Sequence, residues 1–116
     1  METDIQSLTN ALRAFAKDRD WGQFHSPKNL ASALTVEAAE LLEHFQWMTE
    51  EQSRQLSATK TAEIAAEAAD VFLYLLQLCD KLNIDLVQAS KEKILLNEQR
   101  YPVESTRGSN RKYSDK

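Results

Sequence analysis

Residues 61–82 run without a glycine or proline and carry apolar side chains around most of a helical wheel. Ile64, Val71, Leu75, Leu78 and Leu82 recur at helical steps on one face, and Phe72, Leu73 and Leu76 extend the hydrophobicity to the other sides. A helix that is apolar nearly all round is buried on several sides. A chain of 116 residues has few elements with which to bury it. The stretch is therefore read as a subunit interface as well as a core helix. With only two Gly and two Pro in the whole chain, long uninterrupted helices suit the rest better than a turn-rich β fold.

Three further helices are expected. Residues 4–18 place Ile5, Leu8, Leu12 and Phe15 on one stripe. A polar and aromatic connector, 19–27, holds Trp21, Phe24 and His25, and Ser26-Pro27 has the form of a helix start. The second helix is expected over 27–48, with Leu30, Leu34, Leu41 and Phe45 facing the core, followed by a polar loop or frayed helix over 49–61. The last begins at a cap on Asn83 or Asp85 and stops near Tyr101-Pro102, since the position before proline disfavours helix. The expectation is an all-α four-helix subunit over 1–102 with a polar basic tail over 103–116. Taken alone, the tail reads as disordered.

The net charge of −4 argues against a nucleic-acid binder, which would usually carry a basic stripe. It leaves room for a small anionic substrate, because a bound cation reverses the local sign. One cysteine, Cys79, makes neither a disulfide within the chain nor a zinc site. The opening METDIQSL has no signal-peptide pattern. The longest greasy run, 71–79, is broken by Gln77 and is too short for the roughly 20 residues of a bilayer span. A soluble cytoplasmic protein without a membrane partner is the expectation.

The chain has one internal echo. Glu37-Ala-Ala-Glu40 and Glu67-Ala-Ala-Asp70 occupy the same register beside the apolar stripes of their two helices. Residues three apart share a face, so each pair lies at the rim of the contact the two helices would make if packed antiparallel. Glu63 and Tyr74 extend the strip. One acidic pair is ordinarily a solvated face; two at matched register are harder to explain that way. Carboxylates held together repel unless neutralised, and a hard divalent cation with oxygen ligands does this. The chemistry that follows is attack of water on phosphorus while metal offsets phosphate charge. A di-iron bundle would need Glu-x-x-His on two helices, and the third helix has no histidine.

Together with Asp20-Trp21-Gly-Gln-Phe24-His25, Pro27-x-Asn29-Leu30, Phe45-Gln46-Trp47, Leu73-Tyr74-Leu75, Lys93-x-x-x-Asn97-x-x-Arg100-Tyr101-Pro102 and Ser109-Asn-Arg111-Lys112-Tyr113, these acids resemble the MazG-like all-α nucleotide pyrophosphohydrolases, closest to the dCTP pyrophosphatase branch. The resemblance covers nearly the whole chain. It implies hydrolysis of a nucleoside triphosphate to monophosphate and pyrophosphate, for clearance of unwanted nucleotides. It also implies magnesium, replaceable by manganese, on Glu37, Glu40, Glu67 and Asp70, and a homo-oligomer, dimer or tetramer. Trp21 and Trp47 would clamp the base; His25, Asn29 and Tyr74 would reach sugar or base. Lys93, Asn97, Arg100 and Tyr101 share one side of the last helix and suit phosphate oxygens, and Arg111 and Lys112 would fold over the phosphates. Leu12 stands where that branch carries a histidine near the base, so base selection is expected to be wider than strict cytosine. A dUTP or phosphoribosyl-ATP hydrolase, or a non-catalytic helical oligomerisation module, remains the alternative.

Overall fold

The computed structural model describes residues 3–110, and these form helices and turns with no strand. The chain divides into two compact units, Met1–Asn83 and Ile84–Lys116. In the first, α1 (Asp4–Asp18), α2 (Pro27–Glu43) and α4 (Ala58–Lys81) are the long helices, with a 3-10 turn (Gly22–Phe24) and the short α3 (Glu50–Arg54) in the connections.

Their boundaries follow from capping chemistry. Thr3 opens α1 with a capping box, accepting from the Gln6 backbone N–H while the Gln6 side chain accepts from that of Thr3. Ser26 caps α2, with Pro27 in the first turn. That helix stops at Glu43, five residues before the expected end, because residues 44–47 tighten into turns. The polar stretch after it contains α3, started by a second capping box on Thr49. Ser57 begins α4 three residues earlier than periodicity alone places it, by accepting from the Lys60 backbone N–H at 3.1 Å. Hydrophobic pattern locates the stripe, but the hydroxyl before it decides where the helix begins.

Helices α2 and α4 make the main packing contact, and α1 packs on α4. Glu37 meets Glu67 and Asp70, while His44 shares a cavity with Lys60, so α2 and α4 run antiparallel as expected. Arg13 on α1 grips Asp80 on α4 through two nitrogens, Nε donating at 2.9 Å. This pair holds the Asp80 carboxyl below its ordinary range. Among the described residues only Leu30, Leu76 and Cys79 are buried. Burial raises the Cys79 thiol, which sits as a small apolar filler. No helix among the described residues is long and apolar enough to cross a membrane.

The second unit holds α5 (Leu86–Arg100), capped by Asp85, and the short α6 (Val103–Thr106). Helix α5 ends before Tyr101-Pro102 as expected, and none of its residues is buried.

Candidate metal centre and adjoining cavity

Antiparallel packing of α2 on α4 brings the two acidic pairs together. One carboxylate oxygen from each of Glu37, Glu67 and Asp70 lies within 4.8 Å of the other two. Glu67 Oε1 is shut off from solvent and has no hydrogen-bond partner, a state that costs free energy unless some group compensates it. The carboxyl of Glu67 beside Glu37 raises the Glu37 group above its ordinary value, with desolvation and the charges of Glu67 and Asp70 adding to the rise. Glu40 is raised in turn by its contact with Glu37. The four acids form one electrostatically crowded cluster, with Glu40 beside the three-oxygen group.

This donor set fits a hard divalent cation. Oxygens bound to one magnesium at about 2.0–2.1 Å stand at most about 4 Å apart, so small rotations of the three carboxylates would gather them around an ion. The stranded oxygen of Glu67 is the kind of acceptor that a cation satisfies. Glu40, Glu67, Glu43, His44 and Lys60 line a polar recess. Lys60 is half-buried and pairs with Glu63 at 3.6 Å. It lies two helical turns before Glu67, on the same face, a spacing present in the sequence but hidden by reading the acids alone.

Asp70 also lines a second, largely apolar cavity of about 410 Å³ between α1, the connector and α4. Leu12, Phe15, Trp21, His25, Tyr74 and Gln77 are among its walls. The position of Trp21 is set by how α1 ends. Asp20 adopts a left-handed backbone, φ 52°, so that its N–H reaches the carbonyl of Lys17 and the N–H of Trp21 reaches that of Ala16. This is a Schellman ending, whose usual companion is an apolar contact from the residue after the turn back onto the helix. Here Trp21 meets Phe15 edge to face, centroids 5.5 Å apart, with His25 beyond it at 6.5 Å. The Arg19 guanidinium lies over the Phe15 ring, 3.6 Å from its centroid.

The expected site residues thus divide into groups. Trp21, His25 and Tyr74 gather with Asp70 around the apolar cavity, and Leu12 lies in its wall. Asn29 gives its side-chain amide to the Phe24 carbonyl at 3.0 Å, holding the connector against the start of α2. Trp47 stands 89% exposed, apart from that cavity's lining. Lys93 and Asn97 are exposed on α5, and Arg100 and Tyr101 close that helix. Arg111 and Lys112 lie outside the described residues. Gln77 was legible only as a break in the apolar run, although it falls seven residues after Asp70 on the same face.

A family model described as MazG-like matches residues 33–115. Over 116 residues the chain is 40% identical to dCTP pyrophosphatase 1 of Mus musculus, spanning 98% of this chain and 68% of that protein. With the Homo sapiens dCTP pyrophosphatase 1 it shares 37% over the same spans. The crystal structure of a pyrophosphatase from Archaeoglobus fulgidus superposes with a TM-score of 0.82 at 39% identity, covering 88% of this chain and 95% of that one.

Proposed function

The chain belongs to the MazG-like family, and on that premise we propose that it is a nucleoside triphosphate pyrophosphohydrolase that uses magnesium to cleave dCTP and related deoxynucleoside triphosphates to monophosphate and pyrophosphate. The observation that carries this reading is the double position of Asp70. It belongs both to the three-carboxylate cluster and to the aromatic cavity, so one residue joins a phosphate-handling end to a base-handling end.

Glu37, Glu67 and Asp70 would hold the cation, with Glu40 completing the ligand set. Bound there, magnesium would offset phosphate charge and favour attack of water on phosphorus. Lys60, which shares a recess with Glu40 and Glu67, would offer an ammonium to a phosphate oxygen. In the cavity, whose volume falls among those of small-molecule sites, Trp21 offers a face for stacking and Tyr74, one turn beyond Asp70, a hydroxyl for the sugar. The same reading assigns Trp47, Lys93, Asn97, Arg100 and Tyr101 to the substrate in an assembled oligomer, and Arg111 and Lys112 to its phosphates. The sparse burial within one chain supports that assembly.

The test is pyrophosphate release measured across the common and modified nucleoside triphosphates, with and without magnesium or manganese. Metal-dependent release from deoxynucleotides, dCTP foremost, is expected. Absence of turnover on the entire panel would overturn the reading.

A further inference from the structure

Gln77 interrupts the apolar run 71–79 of α4, half-buried where its neighbours Leu76 and Leu78 are hydrophobic. It lines the apolar cavity together with Asp70 and Tyr74 and also forms part of the wall of a neighbouring cavity, which Arg13 and Asp80 line. Its amide has a settled orientation: Nε2 donates to the Leu73 carbonyl at 3.3 Å. The reverse orientation would set two acceptors against each other. With one of its two N–H groups so engaged, the amide offers a ligand its oxygen, which can only accept, and its second N–H.

Taking the cavity as the base site, which rests on the function proposed above, we propose that Gln77 is a specificity-determining residue whose amide oxygen accepts a hydrogen bond from an exocyclic amino group of the base while its second N–H donates to the ring nitrogen next to that group. Seven residues of helix place it about 10 Å along α4 from Asp70. That reach is comparable to the span from the phosphate at the metal to the outer edge of a base. Cytosine and adenine present an amino group beside an acceptor ring nitrogen, whereas thymine, uracil and guanine present a carbonyl oxygen beside a ring N–H, the 2-amino group of guanine lying beyond it. Set against the oxygen and N–H of Gln77, the second arrangement opposes acceptor to acceptor and donor to donor in a mostly apolar pocket. Leu12, in the same wall, offers no polar group that could reverse the choice. The selected class is therefore the 4-aminopyrimidine and 6-aminopurine bases, dCTP and dATP, with the stacking partner Trp21 indifferent between them.

The experiment compares kcat/KM for dCTP, dATP, dTTP and dUTP in the wild-type chain and in Gln77→Met, which keeps the volume but removes the acceptor and the donor. The wild type should favour dCTP over dUTP and dATP over dTTP. In the variant the dCTP-to-dUTP ratio should fall about tenfold, the scale of one hydrogen bond, mostly through KM. A general loss of folded enzyme lowers all four rates together and leaves the ratio intact, so the ratio is diagnostic; Gln77→Ala, expected to narrow it likewise, guards against a peculiarity of methionine. Turnover with an unaltered ratio in both variants would overturn the role of Gln77 alone. A wild-type chain that cleaves no nucleoside triphosphate would overturn it together with the function on which it rests.

Discussion

Glu67 concentrates the chemistry of the site in one side chain. Its Oε1 is buried without a partner, and its carboxyl raises that of Glu37. A raised carboxyl in the fold means that ionising the cluster costs free energy when no cation is present. Glu37→Gln should therefore raise the melting temperature of the metal-free protein at neutral pH and shrink the further rise that magnesium gives the wild type. The same substitution, like Glu40→Gln, Glu67→Gln and Asp70→Asn, should nearly abolish turnover, because the phosphate charge loses its counterweight. Differential scanning fluorimetry with and without magnesium, beside a pyrophosphate-release assay, reads both effects. Wild-type rates in all four variants at saturating magnesium would refute the metal assignment. This cluster was legible in the sequence because helical spacing alone puts each pair on one face, and a repeated register puts the pairs opposite each other. The stranded oxygen was not legible, since it depends on how far the two helices approach.

At the scale of elements, the cavity owes its shape to the end of α1. The aromatic cluster in the connector was readable as composition, but the turn that aims Trp21 was not. Asp20 does not announce a left-handed backbone as a glycine would, though Asp tolerates that region better than most residues. Asp20→Val should cost roughly 1–2 kcal/mol, the penalty for a side chain forced into that conformation. It should also weaken substrate binding more than it slows a saturated enzyme, because Trp21 moves while the acids stay. Chemical denaturation together with a KM-against-kcat comparison checks this, and an unchanged KM would count against Trp21 as a base contact. The contact between α1 and α4 adds a pH dependence. Arg13 lowers the Asp80 carboxyl in the fold. The pair's contribution is therefore present above the ordinary aspartate value of about 3.9 and lost as pH falls through the lower folded value. Melting curves from pH 7 downward should show Arg13→Met less stable than wild type at neutral pH, with the gap closing in acid. A gap that stayed constant through the acid range would show that packing of the arginine stem, and not the ion pair, is what counts.

The whole molecule is defined by what a single chain leaves uncovered. Only Leu30, Leu76 and Cys79 are buried among the described residues, while Phe24 is 59% exposed, Leu42 62% and Trp47 89%. On α4, Phe72 remains exposed, and Val71, Leu73 and Leu75 are only half-buried, although the sequence marks that helix as apolar nearly all round. Periodicity identified which faces need cover. It could not say what provides the cover, because a stripe that packs within the chain and one that packs on another copy have the same spacing. Monomeric proteins seldom leave large contiguous apolar patches in water, and a small domain has little area to spare for its own core. The protein should therefore be a dimer or larger at working concentration. Light scattering across a dilution series would give its mass, with a multiple of 13.2 kDa expected. Replacing exposed Phe72 and Leu42 by polar residues should shift that mass toward the monomer and lower the melting temperature together, since the same apolar area serves assembly and stability. Turnover should fall in parallel, because Trp47 is not among the residues lining the apolar cavity of its own chain and would serve the proposed base site only from another copy. A monodisperse monomer with full activity would sink both the interface and the part assigned to Trp47.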